Sequence, residues 1–179
     1  MEAQAPQPPA LADYPINIDC DKIKKPKYED PECIKEELCG MIDGFNKSTA
    51  TKKKVNPSPS VRGNKKYPAT PQSIQNNNDY NAGIRKFNQR FEAAPANKKR
   101  DFFGTDCQYE NWKAGKAQAF SPDHTHDASL GGAIAGQAAQ KNLSFATRRI
   151  NTRLGGCMRG YKPAEHGKCV ANENCGCAS

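Results

Sequence analysis

Eight cysteines stand in a chain of 179 residues of which only 36% are hydrophobic. Mean hydropathy is −0.89. A chain this polar buries only a modest core, so it needs another source of order. Disulfides or a cysteine-bound metal can supply it. An even count fits bridges, whose connectivity the sequence leaves open. Cys20, Cys33 and Cys39 could link an N-terminal arm to Cys107 or to the tail. Cys157, Cys169, Cys175 and Cys177, with His166, lie close enough to bind zinc, although none forms a Cys-x-x-Cys pair. A cytosolic setting favours free thiols and a secreted one favours bridges. Disulfides are the first expectation and structural Zn²⁺ the second. No cysteine lies beside the cluster of His124 and His126, so a catalytic thiol is not expected.

The length suits one domain, or one domain with a tail. No run approaches the roughly 18 apolar residues of a membrane span. No charged segment followed by an apolar one opens the sequence, so export would need a route without a signal peptide. The net charge is +8 and unevenly spread. From Lys47 to Arg100 there are thirteen Lys/Arg and two acids, a local balance of +11, which leaves −3 elsewhere. Lys52, Lys53, Lys54, Lys65, Lys66, Lys98, Lys99 and Arg100 are the dense points, and Arg148 and Arg149 add a second cluster. Such a stretch is either a solvated linker or a track for phosphates, where binding releases counterions. Tyr67, Tyr80, Phe87 and Phe91 are interleaved and could stack or pack.

Along the chain, residues 1–18 read as a flexible lead rich in Ala, Pro and Gln. Pro31 to Met41 has helical spacing, with Cys33, Ile34, Leu38 and Met41 on one stripe and Gly40 or Gly44 as stops. Residues 47–78, with four prolines, read as irregular. Asp79 could cap a helix reaching Phe91, with Tyr80, Ile84, Phe87 and Phe91 on one face. Asp106 to Lys113 is an acidic-aromatic block holding the only Trp. Ala117 to Phe120 is a strand candidate that breaks at Pro122. Leu143 to Leu154 reads as a helix opened by Asn142 and ended by Gly155-Gly156, with Leu143, Ile150 and Leu154 on one face.

Asp123, His124, His126 and Asp127 fall within five residues. Histidine accepts a proton near neutral pH, and a carboxylate is a hard ligand for Mg²⁺. Alone, such a cluster also fits a surface loop. Downstream come Gly131-Gly132, then Asn142, then Asn151 nine residues later. This order resembles the HNH, or His-Me finger, nucleases, in which two short strands and a helix hold one divalent metal. The resemblance implies Asp123 and Asn151 as metal ligands and His124 as the general base that activates water. It implies Asn142 as the residue that holds the loop and orients His124. The metal would be Mg²⁺ or another divalent cation such as Mn²⁺ or Zn²⁺.

The run Pro122-Asp-His-Thr-His-Asp-Ala-Ser-Leu-Gly-Gly132, with Asn142-Leu143 and Asn151-x-x-Leu154-Gly155, also resembles the novel toxin 15 family of bacterial nuclease toxins. Its His-x-x-Asp hallmark is matched by His124 and Asp127, which adds Asp127 to the catalytic set, as a residue that orders the loop or reaches the metal through water. The resemblance covers roughly residues 105–156. It implies a metal-dependent DNA endonuclease, a secreted antibacterial effector of type VI or polymorphic-toxin kind, acting in the cytoplasm of a competitor. It implies a cognate immunity protein and a delivery component as partners. His126 and Ala128 depart from the pattern, His126 being expected to face solvent, and the Cys-rich tail lies outside it. The expected fold is α+β: a small ββα-metal nuclease core with irregular, Cys-rich and basic extensions. Its parts are a lead (1–18), a basic, partly helical N-terminal part (19–104), a nuclease core (105–156) and a Cys-rich tail (157–179). A ribonuclease toxin on the same scaffold and a non-catalytic nucleic-acid-binding module are the alternatives.

Overall fold

The computed structural model describes residues 9–16, 31–48, 54–115, 120–158, 160–162, 165–167 and 169–171. Strand β1 (Tyr14–Ile16) precedes helices α1 (Pro31–Ser48), α2 (Pro71–Ala93) and α3 (Asp106–Lys113). A 3₁₀ segment, Ala96–Phe102, joins α2 to α3. Strand β2 (Phe120–His124), a 3₁₀ turn (Ala128–Leu130), the short helix α4 (Gly136–Lys141), strand β3 (Leu143–Thr147), helix α5 (Arg148–Met158) and strand β4 (Cys169–Ala171) follow. The class is α+β, with β2 and β3 paired antiparallel and β1 and β4 paired parallel.

Several elements differ from their sequence reading. Helix α1 passes both glycines expected to stop it, because its stripe continues: Ile34, Leu38, Ile42 and Phe45 are all buried. Each such burial is worth about 1.5–3 kcal/mol, more than a glycine costs a helix. Helix α2 starts at Pro71 rather than Asp79. Thr70 accepts from the Ser73 amide (3.1 Å) and Ser73 Oγ accepts from the Thr70 amide (2.8 Å). That capping box, with proline in the first turn, outcompetes Asp79, which instead accepts from Gln75 inside the helix. The expected face holds at Phe87, which is 2% exposed. The acidic-aromatic block forms α3, capped by Thr105 and Gln108.

The largest revision concerns the C-terminal third. Strand β2 runs through Pro122 to His124. Proline is tolerated there because each strand of a two-stranded sheet has a free edge. The residues before Phe120 in the expected strand lie outside the described chain. The expected single helix is strand β3 followed at once by α5, which continues past Gly155-Gly156. Asn142 closes α4 instead of opening a helix. Leu143–Thr147 is too short to separate strand from helix by its own pattern, and pairing with β2 identifies it as a strand.

Two apolar clusters flank the β2–β3 pair. Leu38, Ile42, Phe45, Ile150, Leu154 and Tyr161 belong to one, with Ile16 of the lead packed into it. Phe87, Phe103, Leu143 and Phe145 form the other, ringed by Phe91, Trp112 and Phe120. Cys33 and Cys107 form a disulfide that ties α1 to α3 across 74 residues. Cys39 is disulfide-bonded as well. Cys20, Cys175, Cys177 and the thiols of Cys157 and Cys169 lie outside the described residues. His166, a zinc candidate, accepts from the Lys162 amide through Nδ1 (2.9 Å) and packs on Tyr14 and Tyr161.

A loop this long makes the bridge a strong constraint on the unfolded chain. Replacing Cys33 and Cys107 together by alanine is expected to cost about 2–4 kcal/mol. Thermal unfolding followed by circular dichroism measures it, and an unchanged Tm would show that packing alone holds α1 on α3.

Candidate active site

The β2–β3 register places the site. Asp123 pairs with Ser144 and His124 with Leu143. Pleating sends these neighbours to opposite faces. His124 is 6% exposed and stacks on Tyr80 of α2, with ring centroids 4.9 Å apart and planes 25° apart. Asp123 accepts a hydrogen bond from Asn151 Nδ2 of α5 at 3.3 Å. Both Asp123 and His124 border a cavity of about 800 Å³, as do Asp127, Asn151 and, at its α1 side, Glu37.

The loop after His124 is closed by Asn142. Its backbone carbonyl accepts from the Thr125 amide (2.8 Å). Its Oδ1 accepts from the His126 amide (2.7 Å), and its Nδ2 donates to the His126 carbonyl (2.9 Å) and the Ala133 carbonyl (3.3 Å). Asn142 thus holds the loop that begins at His124. Asp127 caps the 3₁₀ turn, accepting from the Ser129 amide (2.7 Å) and from the Ser129 hydroxyl. Leu130 is buried, and Gly131 takes φ +91°. A Cβ on Gly132 would lie 1.9 Å from the His126 carbonyl oxygen, so only glycine fits. The Asp-x-x-Leu-Gly-Gly run is therefore a turn with a cap, an anchor and two obligatory glycines.

His126 departs from its expected exposure: its Nε2 is buried and without a hydrogen-bond partner. Asn142 fastens its backbone from both sides, and Gly132 packs against its carbonyl. His124 Nε2 is likewise buried, and among the described residues neither atom has a partner.

Two acids and a phenol set the electrostatics. Burial, and then the charge of Asp127, push the Asp123 carboxyl up to about 7, against the Asn151 and His124 backbone hydrogen bonds that lower it. Burial holds His124 below the usual imidazole range, and Asp127 opposes that. Burial, then Asp123 and Asp127, raise the Tyr80 phenol.

Tyr80 and Glu37 were not legible as site residues. Tyr80 reads as one more member of the α2 apolar face. Glu37 is 5% exposed, and its two oxygens accept from the Thr147 amide (2.6 Å) and hydroxyl (2.8 Å), fastening the start of α5 to α1. Its signal was its position inside the α1 apolar stripe, next to Leu38 and three residues after Ile34.

The basic residues divide. Lys54 borders the cavity, its Nζ 3.4 Å from the Tyr161 carbonyl oxygen. Lys65, Lys66, Lys98 and Arg148 are exposed, and Arg149 is half-buried. Lys99 donates to the Phe91 carbonyl at the end of α2 and lies over the Phe91 ring at 4.4 Å. Arg100 pairs with Asp106 and donates to the Phe103 carbonyl (2.8 Å). Those two cations serve the fold, since helix ends and buried aromatics take up positive charge. Lys52 and Lys53 lie outside the described residues.

Among the described residues, no three His, Cys, Asp or Glu side chains converge as a metal site. The donor pair here is one carboxylate and one amide. That suits Mg²⁺, which keeps several waters and takes one or two carboxylates with substrate oxygens. Asp123 fits such an ion: it is a half-buried acid under the charge of a second acid, and a divalent charge there would favour its ionised form. Comparison with protein-family models, curated proteins and solved structures finds no match to this chain.

The raised Asp123 pKa has a defined sign. Its contribution to the metal-free fold is fully present below its unfolded value of 3.8 and is lost as pH rises through about 7. Asp123→Asn is expected to stabilise the metal-free protein at pH 8, on the order of 2–3 kcal/mol, and to do nothing near pH 3. Mg²⁺ or Mn²⁺ should raise the Tm of the unmodified protein at pH 8 and leave the variant unmoved. Thermal unfolding with EDTA and with metal checks both, and equal metal shifts would remove Asp123 from the ligand set.

Proposed function

We propose that this protein is a metal-dependent endonuclease that hydrolyses phosphodiester bonds in DNA, and that it serves as a secreted antibacterial toxin. The observation that carries the reading is Asp123 hydrogen-bonded to Asn151, beside a buried His124, where an antiparallel strand pair runs straight into a helix. Asp123 and Asn151 would hold the cation, Asn151 turning its Oδ1 rather than Nδ2 to it. When bound, the cation supplies Lewis-acid polarisation of the phosphate.

His124 takes the proton of the attacking water. Burial keeps it neutral at physiological pH, which is the form a base needs. The stacked Tyr80 ring sets the plane of the imidazole, and Asn142 sets the loop that follows it. Asp127 holds the turn and lends His124 negative charge, which stabilises the imidazolium that forms. Glu37 steadies the start of α5 and with it Asn151.

The toxin role rests on the resemblance over residues 105–156. It brings delivery by type VI secretion or a polymorphic toxin, action in the target cytoplasm and a cognate immunity protein. Among the described residues, no helix is long and apolar enough to cross a membrane. An immunity protein for this site would present an acidic surface to the basic one, since complementary charge speeds association.

Plasmid nicking in Mg²⁺ tests the reading. His124→Ala is expected to slow cleavage about 10²–10⁴-fold, and EDTA to abolish it. If His124→Ala cuts as fast as the unmodified protein, the mechanism is wrong. Preferential degradation of matched RNA would move the substrate to RNA. Tyr80→Phe keeps the stacked ring and should cut nearly normally, while Tyr80→Ala should lose about 10²-fold through misplacement of His124. Equal rates for the two variants would remove Tyr80 from the site.

A further inference from the structure

The segment 54–62 has no regular structure, yet it is tied down at three points beside the cavity that Asp123 borders. The Val55 amide donates to the Ser129 carbonyl (2.7 Å). Asn77 Nδ2 of α2 donates to the Pro59 carbonyl (3.1 Å), and Ser73 Oγ donates to the Arg62 carbonyl (2.7 Å). Pro59 is buried. The first tie joins the segment to the turn that Asp127 caps, because the Ser129 amide donates to Asp127 (2.7 Å). Lys54 stands one residue before that tie.

Three carboxylates, Glu37, Asp123 and Asp127, border the cavity, and Lys54 is the only lysine or arginine among the described residues that does. Among the described residues, Lys54 has no acid within ion-pair distance. Its Nζ donates instead to the Tyr161 carbonyl at 3.4 Å. That one long bond to a neutral acceptor holds the ammonium at the rim and leaves two of its three donors for another group. Its distance from Asp123 is set by α5. Asp123 meets this helix near its start, at Asn151, and Lys54 meets the chain just past its end, at Tyr161. The helix rises about 10 Å from Asn151 to Met158. That separation suits two successive phosphates of one strand.

We infer that Lys54 binds a backbone phosphate next to the one being cut, and so sets the register of the strand at Asp123. The inference rests on the nuclease reading, which puts the scissile phosphate at Asp123. An anion that enters a cavity bordered by three acids meets its one protein cation at Lys54. The contact positions the strand and reads no sequence, since every nucleotide carries the same phosphate. The tie of Val55 to Ser129 keeps this anchor at a fixed place relative to the turn of Asp127.

Steady-state cleavage of two substrates tests this: a short oligothymidylate, and bis(p-nitrophenyl) phosphate, whose one diester has no neighbouring phosphate. Lys54→Ala is expected to raise KM for the oligonucleotide about tenfold, to leave its kcat within about twofold, and to leave the single diester unaffected. Lys54→Arg keeps the charge and should retain most of the affinity. In EDTA, fluorescence anisotropy with the same oligonucleotide should show weaker binding by Lys54→Ala. The slope of log K against log salt should fall in magnitude by about 0.7, the loss of one contact on a single strand. Lys113→Ala, at an exposed lysine paired with Glu110 outside the cavity lining, should change neither. Circular dichroism checks the fold, and Lys54→Met, which keeps the stem, gives the same test if the alanine variant is unfolded. An unchanged KM and salt slope in a folded variant, or an equal loss on both substrates, would overturn the inference. If Lys54→Ala weakens binding but the unmodified protein cleaves with no divalent metal tried, the nuclease reading falls and the phosphate contact stands. If the unmodified protein cleaves and Lys54→Ala behaves like it on both substrates, the contact falls and the nuclease reading stands.

Discussion

The pairing of Phe120–His124 with Leu143–Thr147 is the constraint on which the site depends. A slip of one residue would exchange the faces of Asp123 and His124. Asp123 would then lose Asn151, and His124 would lose Tyr80. The register is secured at its open end by Asn142, whose backbone carbonyl takes the Thr125 amide while its amide group brackets His126. At the other end, Glu37 holds Thr147, where strand becomes helix. Two polar side chains thus clamp both ends of a sheet too short to be stable alone.

Charge separation shapes the site as much as geometry does. Burial and the charge of Asp127 act together on Asp123, with Glu37 adding to both, so its ionised form is disfavoured. The basic excess lies elsewhere along the chain, and part of it is structural. Lys99 closes α2 and Arg100 binds Asp106. Lys54 is what the Lys52-Lys53-Lys54 cluster contributes to the cavity among the described residues.

The modest core is divided rather than enlarged. One aliphatic cluster fastens α5 to α1, one aromatic cluster fastens β3 to α2 and α3, and the Cys33–Cys107 bridge joins α1 to α3. The strand pair enters the aromatic cluster through Leu143 and Phe145 and runs directly into α5, whose Ile150 and Leu154 enter the other. Residues far apart in sequence, Tyr80 and Asn151, can therefore meet β2 from opposite directions.

Local signals in the chain were readable where chemistry is local. The apolar stripes of α1 and α2 follow from residue type and spacing alone, whereas the grouping of Asp123 and His124 with Asn142 and Asn151 comes from the resemblance. Helix limits were misread wherever a long-range partner outweighed a local stop signal, as at Gly40 and Gly44. The stretch Leu143–Leu154 reads as one helix because Leu143, Ile150 and Leu154 fit one helical face, and its first five residues become β3 only against β2. Lys99 and Arg100 carry charge in the sequence, but only contact with Phe91 and Asp106 shows where that charge is used. The amino-acid sequence by itself determined which imidazole, carboxylate, amide and turn-forming groups are present. The tertiary structure decided their faces, burial and partners, because these depend on strand register and on helices that arrive from distant parts of the chain.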